Sequence, residues 1–133
     1  MAPGLNVPNA PTLVLMAHGS RDPRWRQPFQ ALHAELATRL GEGRVWLCYM
    51  EMAEPDLFAV LRQATAQGHA RFRVLPLFMA AGAHVANDIT AQVAQAEAMF
   101  PGTTYETLPP VGEHPAVREA LARIALEAAD STS

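Results

Sequence analysis

The chain is predicted to be an α/β protein, a three-layer α/β/α sandwich around a four-stranded parallel sheet, and three observations predict it. Between residues 12 and 130, short apolar runs and helical stripes alternate four times. The first three runs are apolar at nearly every position, the pattern of strands covered by helices on both faces. Two of these runs end at glycine-marked turns that carry His18 and His84. In open parallel sheets, ligands bind along that strand-end edge.

Each element follows from its residues. TLVLMA at 12–17 is the first strand and ends at His18-Gly19-Ser20. Asp22 followed by Pro23 starts the first helix, because the carboxylate caps free amides and proline fits the first turn. Phe29, Leu32, Leu36 and Leu40 form its buried face, and Gly41 and Gly43 stop it. VWLCYME at 45–51 is the second strand. Pro55 begins the next helix, with Leu57, Val60, Leu61 and Ala64 as its stripe and Gly68 at its end. FRVLPLF at 72–78 is the third strand; Pro76 conflicts with a ladder position, and an end near Leu75 would remove the conflict. A helix over 85–99 turns Ile89, Val93 and Ala96 inward. TTYETL at 103–108 is a short, less apolar fourth strand, and a last helix from about Pro115 carries Val117, Leu121 and Ile124 on one face.

At 133 residues and 50% apolar, the chain has enough material for one core. The expected organisation is a flexible lead-in over 1–11, a single domain over 12–130 and a short tail over 131–133. Cys48 is the one cysteine and sits in an apolar run, which reads as a buried small hydrophobe. Neither a secretory signal nor an 18-residue apolar span is present, so a cytoplasmic protein with no membrane partner is expected. The net charge of −3 argues against broad nucleic-acid binding. All ten cations are arginines, several of them close together in GSRDPRWR.

Placing the strand ends on one edge brings the chemistry together. His18 follows the first strand, Glu51 ends the second and His84 follows the third. Two imidazoles converging near a carboxylate suit a metal-handling site. Glu51 is favoured over Glu54, which stands before Pro55 and would serve the helix start. Asp88 lies one helical turn from His84 and would either orient the ring or act as an ordinary first-turn charge. Gly82 allows a tight turn or a close ligand approach. His33 and His69 read as structural, and His114 as a helix-start residue. There is no HExxH or CxxC pair, no GxxxxGK[ST] loop and no dinucleotide fingerprint, so ATP and NAD have no support and no bound cofactor is expected.

The ordered segments LMAHGSRDP at 15–23, EMAEPD at 51–56, VLPLFMAAGAHVANDI at 74–89 and LPPVGEHP at 108–115 resemble the short CbiX-type, or class II, sirohydrochlorin chelatases. The resemblance covers nearly the whole chain after the lead-in. It implies half of a two-domain chelatase fold, a homodimer, and ATP-independent insertion of a divalent metal into sirohydrochlorin with loss of two pyrrole protons. Co²⁺ or Fe²⁺ is the expected metal, in cobalamin or sirohaem biosynthesis, with Ni²⁺ the alternative. It also implies that His18 and His84 act at the metal, with Glu51 as the carboxylate of the set.

Sirohydrochlorin carries eight carboxylates. Arg21, Arg24 and Arg26 are therefore expected at its rim, since guanidinium groups pair bidentately with carboxylates. Ser20 belongs to the same loop, and Leu77, Phe78 and Met79 offer apolar contact to the ring face. Two other classes compete. A non-enzymatic carrier would keep the histidines without joining metal to ring. A small serine hydrolase would use Ser20, His84 and Asp88, but Ser20 lacks a GxSxG elbow.

Overall fold

The computed structural model describes residues 10–130. Most of the expected lead-in, 1–9, and the expected tail, 131–133, lie outside the described residues. The elements are β1 Thr12–Ala17, α1 Pro23–Leu40, β2 Val45–Tyr49, α2 Leu57–Ala66, β3 Arg71–Pro76, α3 Ala83–Met99, β4 Thr104–Thr107, a 3₁₀ turn Val111–Glu113 and α4 Pro115–Asp130. All strand pairs are parallel, in the order β2-β1-β3-β4. The expected α/β sheet is what forms, and its carboxyl ends share one edge.

The two sides of the sheet hold separate apolar clusters. On one side, α2 and α3 bury Leu57, Val60, Leu61, Ala64, Ile89 and Ala96 against Val14, Met16 and Val74. On the other, Phe29, Leu32, Leu36 and Leu40 of α1 pack on Leu15, Ala17, Val45, Leu47 and Tyr49. Burying such a Leu or Val side chain contributes up to about 1.5–3 kcal/mol, so either layer outweighs the helix propensities beneath it. Cys48 is fully buried, and burial raises its thiol pKa far above the usual range. No described helix is long and apolar enough to cross a membrane.

Local chemistry sets the boundaries. Asp22 caps α1 by accepting from the Arg24 amide at 2.9 Å, as its sequence position predicts. α2 begins at Leu57 rather than Pro55, because Asp56 is the cap and accepts from Ala59 N at 2.9 Å. Pro76 is the last residue of β3, where its missing donor costs nothing, and Leu77 N continues the ladder to Met16 O at 2.8 Å. His69 holds Thr12 Oγ1 at 2.8 Å at the opposite sheet edge, and His33 Nε2 lies 3.1 Å from Val45 O. His114 Nδ1 accepts from Ala116 N at 3.0 Å, the helix-start role expected of it.

α4 carries Val117, Leu121 and Ile124 along one side, but it buries no residue and packs on the 3₁₀ turn before it.

Candidate active site at the carboxyl edge of the sheet

β1 and β2 continue past their last paired residues and carry two loops side by side. Met50 N donates to Ala17 O at 2.8 Å, and Glu51 N donates to His18 O at 3.1 Å. This short extension puts His18 and Glu51 next to each other. His18 Nδ1 stands 3.8 Å from Glu51 Oε1, with the two side chains 53% and 51% exposed. That separation is within ion-pair reach but too long for a hydrogen bond. The carboxylate is therefore close enough to exchange a proton or share a cation with the ring without being committed to it. Phe78 backs the imidazole edge-to-face, with centroids 5.8 Å apart and planes at 67°.

The approach of the two loops depends on Gly19. Its φ is +103°, and a Cβ there would collide with the Glu51 carbonyl oxygen. Beneath it lies the Tyr49 side chain, whose buried hydroxyl has no hydrogen-bond partner among the described residues and whose pKa burial raises. On the far side of Glu51, Met52 adopts φ +62°, which a non-glycine residue rarely does, and its side chain is 58% exposed. Backbone strain of this kind is typical of loops that must aim a particular side chain. Trp25, in the first turn of α1, and Met79, after β3, are also widely exposed. Trp25 and Met52 were not singled out from the sequence. The signal was present in part, since a tryptophan between two arginines has no place on a buried stripe.

The expected site residues separate into three groups. His18 and Glu51 are brought together, although Glu51 lies two residues beyond the end of β2 rather than within it. His84 is exposed on the first turn of α3, with no hydrogen-bond, ion-pair or ring partner among the described residues. Asp88 is likewise exposed one turn later and makes no hydrogen bond to it. Among the described residues, no three His, Cys, Asp or Glu side chains are placed to hold one metal ion.

The remaining residues take roles in shaping the loop. Ser20 Oγ accepts from Asp22 N at 3.1 Å. Arg24 forms a close pair with Asp22, at 2.7 Å, and this pairing holds the Asp22 carboxyl below its usual pKa. Arg26 Nη1 donates to Ser20 O at 3.1 Å. Arg21 is exposed and has no such partner among the described residues. Phe78 is only 8% exposed and belongs to the core, so it supports His18 rather than offering a ring face to solvent.

Gly82 caps α3 at φ −69° with open space where a Cβ would sit, so neither its backbone torsion nor a neighbouring residue of the described chain requires glycine there. Gly82→Ala is accordingly expected to change stability by less than about 0.5 kcal/mol in a denaturant titration. The glycine this site depends on is Gly19.

A sequence model of the CbiX family matches residues 12–128. Two curated relatives, from Methanopyrus kandleri and Methanocaldococcus jannaschii, are both named sirohydrochlorin cobaltochelatase. Each is 35% identical, over 78 and 77 residues respectively, 58% of this chain and 54% of the relative. The chain thus spans about half the length of the curated relatives it matches. Among solved structures, a protein from Marinobacter aquaeolei VT8 named as a cobalamin (vitamin B12) biosynthesis CbiX protein is 34% identical. It superposes with a TM-score of 0.80 over 89% of this chain and 96% of that one. Sirohydrochlorin chelatase SirB from Bacillus subtilis subspecies spizizenii, solved in complex with cobalt, is 23% identical with a TM-score of 0.71, over 86% of this chain and 49% of that one. SirB from Bacillus subtilis with Fe³⁺ is 19% identical with a TM-score of 0.77, over 90% and 47%. These last two share the fold, and this chain corresponds to half of each.

Proposed function

Because the chain belongs to the CbiX family, we propose that it inserts a divalent metal ion, Co²⁺ first and Fe²⁺ second, into sirohydrochlorin without ATP. The observation that carries this reading is the His18–Glu51 pair, held on two adjacent loops at the carboxyl edge of the sheet and half open to solvent. The names of the two curated relatives support cobalt as the metal. Product use in cobalamin or sirohaem biosynthesis, a cytoplasmic location, a single working domain over 12–130 and action as a homodimer complete the proposal.

The reaction exchanges two protons for one M²⁺ at the four pyrrole nitrogens. Neutral His18 offers a nitrogen lone pair to the incoming ion, a ligand type that Co²⁺, Fe²⁺ and Ni²⁺ all accept. His84, free at the start of α3, supplies a second imidazole when the substrate spans the edge. Two imidazoles hold the ion loosely enough for the ring nitrogens to take it over. Glu51, beside His18, accepts the two pyrrole protons in turn as the two nitrogens that carried them bind the metal, and its exposure lets each proton pass to water. Of the three arginines in this loop, Arg21 meets a substrate carboxylate, while Arg24 and Arg26 keep the loop in shape. Trp25, Met52 and Met79 provide exposed apolar surface suited to a flat ring.

The direct test is anaerobic incubation of the purified protein with sirohydrochlorin and, in separate samples, Co²⁺, Fe²⁺ or Ni²⁺, followed by visible absorption. A rate well above the protein-free control is expected with Co²⁺. A rate at background with all three ions would reject an insertase and leave a carrier.

A further inference from the structure

A hydrogen bond that the mechanism above does not use joins the helix carrying His84 to the loop carrying Glu51. Gln92 Nε2, on α3, donates to Met50 O at 3.4 Å across 42 residues of chain. Met50 is itself fixed at the edge of the sheet. Its amide donates to Ala17 O at 2.8 Å, and the next amide, that of Glu51, donates to His18 O at 3.1 Å. Gln92 is half-buried, and Met50, Val85 and Val93 pack on the same apolar cluster.

This bond decides which flank of α3 looks at the pair. At the helical period, His84, Asp88 and Gln92 form a row that winds by about 40° per step toward the inward stripe of Val85, Ile89, Val93 and Ala96. Since Gln92 reaches Met50, the flank that carries Asp88 and His84 faces the loop after β2. The opposite flank behaves accordingly, for Glu97 lies within electrostatic reach of Tyr105 in β4. His84 and Asp88 are exposed at the top of the row.

We propose that Gln92 is a positioning residue for metal insertion: by holding Met50 O it sets His84 relative to the His18–Glu51 pair. The inference rests on the chelatase reading above and adds a residue that touches neither metal nor ring. A long bond to one carbonyl contributes little to stability. Its effect is on direction. Gln92 lies about 12 Å along the helix axis from His84, so a tilt of about 5° around this tie moves the imidazole by about 1 Å. A displacement of that size can cost about 10²-fold in rate.

Two variants of the full chain test it. Gln92→Met keeps the length and helix propensity of the side chain but has no donor, whereas Gln92→Lys keeps an N–H at similar reach. Gln92→Met is expected to lower kcat by about tenfold or more, with KM for sirohydrochlorin and the thermal melt unchanged. It should also weaken Co²⁺ binding measured without sirohydrochlorin, and Gln92→Lys should restore most of both. In a His84→Ala background, Gln92→Met should weaken Co²⁺ binding no further, because the group it places is gone. Wild-type kcat or wild-type Co²⁺ affinity in Gln92→Met, a loss confined to KM or accompanied by a lower melt, failure of Gln92→Lys to restore it, or further weakening without His84 would each overturn the proposal. A wild type that binds no Co²⁺ before the ring arrives would overturn it as well, since His84 would then not be placed in advance. A wild type that binds Co²⁺ yet does not metallate sirohydrochlorin would reject only the chelatase reading, and the Co²⁺ affinities would still decide the role of Gln92.

Discussion

Glu51→Gln is expected to lower the metallation rate by about 10²-fold or more at saturating Co²⁺, within the range by which a positioned base assists proton transfer. The substitution keeps the size and shape of the side chain and removes its ability to accept a proton. His18→Ala should cause a loss of similar size, because it removes the imidazole proposed to receive the metal, 3.8 Å from Glu51. The two losses will not add. Residues acting as one unit forfeit most of their contribution once either is removed, so the double variant should fall no more than about tenfold below the slower single variant. Initial rates of the spectral change for the four proteins, with circular dichroism as a folding control, decide the matter. Wild-type turnover in Glu51→Gln would show that the proton leaves by another route and that the pair is not the reacting centre.

Gly19→Ala should reduce both stability and rate, although glycine 19 contributes no chemistry. At φ +103° an alanine is strained, and its Cβ would push the Glu51 carbonyl away from the loop that holds it. A strained residue of this kind costs about 1–3 kcal/mol, and the displaced peptide adds to that. A melting temperature lower by on the order of 10 °C follows for a domain of this size. Because a displacement near 1 Å can cost about 10²-fold in rate, metallation should drop even where the variant is fully folded. Thermal melts and rates at 20 °C separate the two effects. An unchanged melt together with an unchanged rate would mean that the two loops do not need the close approach seen here.

Much of this was legible in the residues. Leu57, Val60, Leu61 and Ala64 recur at helical spacing and are all buried, and the three apolar runs became β1, β2 and β3. Asp22 with Pro23 marked the start of α1 because a cap depends on chemistry within three residues. Where two chemistries competed locally, the reading was less sure. Pro55 looked like a helix start, but Asp56 caps α2, since a carboxylate accepting an amide hydrogen defines the first turn more strongly than a preceding proline.

The site residues divide along the same line. His18, Glu51 and His84 could be named from their places after successive strands, and the strand order put their loops on one edge. Which of them touch could not be read that way. His18 meets Glu51 because β1 and β2 are hydrogen-bonded neighbours, whereas His84 enters from α3, beyond β3. Phe78 looked available to a ligand because its run ends at the site edge, but the alternation of faces turns it into the α2–α3 core. Gly82 and Gly19 were indistinguishable as letters; backbone torsion and the nearness of Glu51 made only Gly19 indispensable.

Periodicity, capping and the order of elements, all set by neighbours in the chain, determined the α/β architecture, its layers and the edge where the chemistry lies. Tertiary structure alone decided which loops adjoin, which arginines are occupied by Asp22 and Ser20, and that α4 buries none of its apolar residues. The reason is range. A helical stripe or cap is settled within a few residues, but a contact between residues 18 and 51, or the exposure of a whole helix, depends on how distant segments pack.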